Sequence, residues 1–245
     1  MTTGSVRLMI KKARLLSLIT LAGILFGGFA GGFLSLVHDL PQINQLKQFK
    51  PSAVTSIYTA DRHLLAQVYT EKRFPVSIDR VPKELIDSLL TIEDRAFYEH
   101  SGIRFKAIAR AIIHDILAGS FKQGASTLTQ QLAKTLFLTS EKSITRKIKE
   151  LLLSLQIERR YTKNEILELY LNQIYLGAGA YGVQAASRTY FNKPVWELNL
   201  AECALIAGLP KAPSVYSPSS NPVLAKKRRD LILRQLLAFG RISRE

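Results

Sequence analysis

The chain has a single cysteine, Cys203, among its 245 residues. That excludes an internal disulfide and a cysteine-built metal cluster. Cys203 lies in the apolar run 201–209 and reads as a small buried hydrophobe. Acid is also scarce: 19 Asp and Glu stand against 34 Lys and Arg, a formal charge of +15. Such an excess points to an anionic partner, whether nucleic acid, an anionic bilayer or a phosphorylated substrate, without choosing among them. A composition of 47% hydrophobic and 22% charged residues excludes a disordered chain. Neither a Ser-x-x-Lys nor a Lys-Thr-Gly motif occurs, so nothing in these residues supplies a penicillin-binding transpeptidase nucleophile. The glycine-rich 177–182 stretch opens no helix that follows a strand, which excludes a Rossmann reading.

What is present begins with charge-free residues 15–37, about 23 residues, long enough to cross a bilayer. Arg7, Lys11, Lys12 and Arg14 precede the run and Asp39 follows it, so the positive-inside rule places residues 1–14 in the cytoplasm and the rest outside. The run is long for a cleaved signal peptide and no small-x-small cleavage site follows it, which favours a retained single-pass anchor. Gly23, Gly27 and Gly31 have the small-xxx-small spacing that packs a second helix. Residues 38–81 read as a linker with a short hairpin, its strands at 54–58 and 64–69 around Asp61-Arg62. Beyond Pro82 strand signals fade, and residues 82–245 are expected to be mainly α.

Pro82, Leu85, Ile86, Leu89, Leu90 and Ile92 have helical apolar spacing, which puts Glu93 near a helix C-terminus. There the negative end of the helix dipole and an apolar surround both disfavour an ionised carboxylate, the setting of a proton-transfer group. The plainer alternative is a surface carboxylate paired with Arg95 or Lys83. Residues 104–121 form an apolar stripe edged by Arg104, Lys106 and Arg110, suited either to a bilayer interface or to an ordinary core. Gly124 supplies a turn, and Ser126 or Thr127 caps the helix that follows. With Thr129, Gln130, Gln131 and Lys134 this helix start resembles a cradle for phosphate or sugar hydroxyls.

In 143–160, Ile144, Ile148, Leu151, Leu152 and Leu155 form one stripe, with Arg146, Glu150, Leu153 and Ile157 opposite; both faces are expected to be buried. An i,i+4 ion pair accounts for Arg146 and Glu150, although a carboxylate on a buried face needs partners such as Arg146, Lys147 and Lys134. Capping boxes open helices at Thr162–Glu165 and Asn199–Glu202, and Asn221-Pro222 starts a last helix whose Lys226, Lys227, Arg228 and Arg229 read as a solvated basic face.

The order of these blocks resembles the peptidoglycan glycosyltransferase domain, glycosyltransferase family 51, of class A penicillin-binding proteins and monofunctional transglycosylases. The matching residues are Glu93-Asp94-Arg95-x-Phe97-x-x-His100-x-Gly102, Gly124-Ala125-Ser126-Thr127-x-Thr129-Gln130-Gln131, Arg146-Lys147-x-x-Glu150, the 163–182 block and 202–210. Ala125 stands where glycine is common, and Thr135 where asparagine is usual. The resemblance implies a lysozyme-like, mainly α domain with a small membrane-associated lobe, held at the bacterial inner membrane. Its implied activity is polymerisation of lipid II into β-1,4-linked glycan, with inversion at the anomeric carbon and release of undecaprenyl pyrophosphate.

By resemblance, Glu93 is the general base and Glu150 the second acid, organising the donor diphosphate directly or through a divalent cation, Mg or Mn; no cofactor is required outright. Lys134, Arg146 and Lys147 would offset charge on the leaving group. Asp94, Arg95, His100, Ser126, Thr127, Gln130 and Gln131 complete the expected substrate-binding set. The expected partners are lipid II, the growing glycan strand, the membrane and proteins of cell-wall synthesis, with no nucleic acid. Two rivals are a muramidase-type hydrolase on the same fold and a noncatalytic membrane scaffold that binds glycan or lipid.

Overall fold

The computed structural model describes residues 3–41, 43, 55–68, 71–104, 126–139, 141 and 143–243. The expected basic-apolar helix at 104–121, the Gly124 turn and most of the linker lie outside them. The chain divides into two compact units, Met1–Pro41 and Gln42–Glu245.

The first unit is one helix, α1 (Thr3–His38). Its stretch Leu16–His38 is long and apolar enough to cross a membrane, spanning ~35 Å at the helical rise. Leu16, Ile24, Leu25 and Phe26 leave 65–75% of their surface uncovered. A Cβ placed on Gly23, Gly27 or Gly31 would have nothing within 4 Å, so within this unit the small-residue spacing has no partner helix.

The second unit opens with the expected hairpin, β1 (Thr55–Tyr58) antiparallel to β2 (Leu64–Val68), with Thr55 opposite Val68. Arg62 takes a positive φ of 65° in its turn, and the Thr59 hydroxyl closes the turn by accepting from the His63 N–H at 3.0 Å. The two-residue β3 (Lys72–Arg73) then pairs in parallel with β4 (Ala180–Tyr181). Arg73 is buried. It donates to the Gln173 side chain and the Asn172 carbonyl, and stacks 4.6 Å from the Tyr181 ring. Asn172 completes the join, accepting from the Val76 N–H at 2.9 Å and donating to the Val76 carbonyl at 2.8 Å. The boundary expected at residue 81 therefore falls inside the compact unit, because residues 72–81 carry buried Val76 and Val81 into its core.

Helices make up the rest: α2 (Lys83–Glu93), α3 (Leu128–Phe137), α4 (Ile144–Arg160), α5 (Lys163–Gln173), α6 (Val183–Phe191), α7 (Leu200–Gly208), α8 (Pro213–Tyr216) and α9 (Pro222–Ala238). Capping boxes at Thr127/Gln130, Thr162/Glu165 and Asn199/Glu202 satisfy backbone N–H groups that each helix start would otherwise leave unpaired. One group packs α2 against α7 and α9; a second packs α3 against α4 and α5. Leu85, Leu89, Ile206, Ile232 and Leu236 fill the first core, and Leu128, Leu132, Leu153, Ile157, Ile166 and Leu167 the second.

Two expectations change. On α4 the buried side is Glu150, Leu153, Ser154 and Ile157, while Ile144 is 82% exposed and the rest of its stripe is only half covered, since α3 packs on the Glu150 side. On α9 Arg228 is buried rather than solvated. It donates to the Gly208 carbonyl at 3.5 Å and lies 5.6 Å from the Tyr216 ring. Gly208 makes that approach possible, because a Cβ there would sit 2.8 Å from the Arg228 Cγ.

Candidate active site

Glu93 is the last residue of α2, as its apolar spacing predicts, and is half-buried. The plainer alternative for it fails on geometry. Lys83 pairs with Asp87 at 2.8 Å, and Arg95 lies 4.0 Å over the ring of Phe239. Glu93 instead accepts a hydrogen bond from the Gln131 Nε2 on α3 at 2.9 Å, and the Gln131 Oε1 accepts from the buried Tyr170 hydroxyl on α5 at 3.1 Å. Burial first, and the Glu93 charge second, push the Tyr170 phenol well above its ordinary range. Tyr170 is thus a member of the site that the sequence reading did not single out; the one available signal was its place on the inner face of a helix opened by a capping box.

A second cluster forms around Glu150, which is 3% exposed. Its carboxylate pairs with the Arg146 Nη1 at 3.2 Å and with the Lys147 Nζ. Lys147 also donates to the Ser126 hydroxyl at 2.7 Å, just ahead of the first turn of α3. The Arg146 Nε is buried without a hydrogen-bond partner among the described residues. Lys134, one turn beyond Gln131 on the same helix, is exposed. The donor set does not fit a protein-held Mg or Mn: two cations occupy Glu150, and among the described residues no three acidic, His or Cys side chains gather to hold a metal.

The other expected substrate contacts are spent inside the protein. Asp94, 1% exposed, accepts from the Leu128 N–H at 3.1 Å, from the His100 Nε2 at 2.9 Å and from the Arg104 Nη1 at 3.4 Å. The His100 Nδ1 accepts from the Gly102 N–H at 3.0 Å, which leaves the ring proton on Nε2, facing Asp94. Thr127 donates to the Gly102 carbonyl at 2.7 Å, and Gln130 closes the capping box. The expected anion cradle at the start of α3 is therefore filled by the chain's own carboxylate, Asp94. Asp94, His100, Thr127 and Gln130 weld the 94–102 turn to α3, and Arg95 faces away onto Phe239. A further brace lies beside them. Glu158 accepts from Thr129 at 2.6 Å and pairs with Lys163 at 2.8 Å, and the Lys163 ammonium lies 4.5 Å from the Phe97 ring centre. Gly102 is tied to this packing: its φ is +90°, and a Cβ would meet the Ser154 carbonyl oxygen at 3.0 Å.

Two acids thus converge on α3, one braced by a neutral amide and the other held by two cations. Residues 61–237 match the family model described as Transglycosylase. Penicillin-binding protein 1A of Aquifex aeolicus (strain VF5) is 47% identical over 230 residues, covering 93% of this chain and 32% of its own length. Penicillin-binding protein 1F of Bacillus subtilis (strain 168) is 45% identical over 212 residues, 86% of this chain and 30% of its own. A crystal structure of penicillin-binding protein 1A from Haemophilus influenzae aligns with a TM-score of 0.45 at 30% identity, over 80% of this chain and 20% of that one. The chain spans about a third of the length of the curated relatives it matches. With its family model covering most of the residues from the hairpin to α9, the chain belongs to the transglycosylase family.

Proposed function

We propose that the protein is a peptidoglycan glycosyltransferase that polymerises lipid II into β-1,4-linked glycan for the bacterial cell wall. The observation that carries the reading is the environment of Glu93. Its carboxylate is oriented by a neutral amide and forms no ion pair among the described residues, on the same helix start that supports the Glu150, Arg146 and Lys147 cluster. A cation on Glu93 would hold the carboxylate ionised and weaken it as a base; an amide orients it without adding charge.

In this mechanism Glu93 takes the proton from the acceptor sugar's 4-hydroxyl. The freed oxygen forms a bond to the donor's anomeric carbon as the bond from that carbon to the diphosphate breaks, and the electron pair leaves with undecaprenyl pyrophosphate. Direct displacement inverts the carbon. Arg146, Lys147 and exposed Lys134 offset the charge that grows on the leaving group. Glu150 keeps Arg146 and Lys147 in place, and the unpartnered Arg146 Nε is a donor free for a diphosphate oxygen. Ser126 steadies Lys147.

The α1 helix serves as a single-pass anchor in the inner membrane, with residues 1–14 cytoplasmic and the enzyme outside, where lipid II and the growing strand are met. Cell-wall synthesis proteins are its expected protein partners. The test is incubation of detergent-solubilised full chain with lipid II. Wild type should give glycan polymer, and Glu93→Gln should lose at least ~100-fold in rate. Undiminished polymerisation by Glu93→Gln would remove the base assignment. Soluble sugar released from preformed glycan would instead identify a hydrolase, and no polymer from wild type would favour a scaffold.

A further inference from the structure

A carboxamide has a donor end and an acceptor end of nearly the same size, and a half-turn about its last bond exchanges them. For Gln131 the exchange matters. With Nε2 toward Glu93 it donates to the carboxylate at 2.9 Å; reversed, it would press a carbonyl oxygen against an anion. Tyr170 stands on the other end of the amide. It is 2% exposed, and the Gln131 Oε1, at 3.1 Å, is the acceptor for its hydroxyl proton. Turning the amide over would leave that buried proton without its acceptor, a loss that burial makes costly.

We propose that Tyr170 is a positioning residue for the catalytic base: its buried O–H fixes the Gln131 amide so that the amine end holds one Glu93 oxygen and leaves the other free to take the proton. The inference rests on the reading of Glu93 as the base. Tyr170 transfers no proton itself. The phenol is pushed well upward by burial and by the Glu93 charge, so it remains a donor throughout turnover. The arrangement joins three helices, α2, α3 and α5, through two side-chain hydrogen bonds.

The experiment compares wild type, Glu93→Gln, Tyr170→Phe, Gln131→Met and the Tyr170→Phe/Gln131→Met double variant as full chains in detergent. Initial rates are measured across a range of lipid II concentrations, and melting is followed by far-UV circular dichroism. Tyr170→Phe keeps the ring volume and should lower kcat about three- to tenfold, the scale of one hydrogen bond, with KM within about twofold. Gln131→Met should lower kcat at least as much. The double variant should match Gln131→Met alone, because Tyr170 acts only through that amide. A purely structural role would lower the melting temperature and multiply its loss into the double variant. Should Tyr170→Phe destabilise the fold, Gln131→Met still reads the same link from its other end. Wild-type kcat in Tyr170→Phe, or losses that multiply fully, would overturn the proposal. Polymerisation retained in Glu93→Gln overturns the base reading and this one together, whereas loss there with an unaffected Tyr170→Phe overturns this one alone.

Discussion

Replacing Asp94 with alanine separates two readings of one carboxylate. In the structure Asp94 receives the Leu128 N–H and the His100 Nε2, both inside the protein, and Arg104 at longer range. The Arg104 side chain is 34% exposed and can turn to water, so its loss costs little; His100, 8% exposed at its side chain, and the Leu128 amide cannot do so cheaply. Two buried donors stranded at ~1–3 kcal/mol each give ~2–6 kcal/mol, in line with the cost of removing one partner from a buried charged pair. For a domain of this size, ~4 kcal/mol corresponds to a melting temperature lower by ~8–16 °C. Asp94→Asn should lose less, since its Oδ1 still accepts from Leu128. Urea unfolding of the full chain in micelles, followed by circular dichroism, measures both variants. If Asp94→Ala melts within ~2 °C of wild type and only weakens lipid II binding, the carboxylate belongs to the substrate surface and the weld described above is wrong.

Cys203 is fully buried and its thiol is pushed up to about 12, chiefly by burial, with Glu84 and Glu202 adding to the shift. Native protein should therefore resist iodoacetamide at pH 8 and react only as fast as it opens. Because the folded pKa lies above the ordinary 9.0, this group's contribution to stability is complete below pH 9 and fades as pH rises toward 12; Cys203→Ala should flatten that alkaline decline in unfolding free energy. Labelling of folded protein at full rate would refute the burial. Gly182 has a φ of +81°, and a Cβ there would lie 2.8 Å from the Asn172 carbonyl oxygen. Gly182→Ala should cost ~1–3 kcal/mol in thermal unfolding, and an unchanged melting curve would show that the loop relaxes freely.

The sequence was most legible where local chemistry decides the outcome. Thr127, Thr162 and Asn199 cap the helices they were expected to cap, and the spacing 82–92 correctly placed Glu93 at the end of α2. It was least legible where a distant residue decides. The start of α3 looks like an open anion site until Asp94, 34 residues earlier, arrives to occupy it. The basic run 226–229 looks solvated until Gly208 lets Arg228 in. The two apolar stripes of α4 are equivalent in pattern, and only the packing of α3 selects the one carrying Glu150. Tyr170 had no pattern to announce it, since a tyrosine on an inner helix face is ordinary until its hydroxyl finds an amide that serves a carboxylate.

Glu93 and Asp94 are consecutive, yet α2 ends between them: Asp94, at φ −156° and ψ 76°, turns its carboxylate inward while Glu93 remains on the last turn. Their Cα atoms are only ~3.8 Å apart. The reactive group therefore takes its coordinates directly from the joint that secures the fold. Loosening that joint would first be seen as a fall in turnover at temperatures where the chain is still largely folded, so heat-sensitive growth with normal protein abundance is the phenotype that substitutions at 94, 100 or 127 should produce.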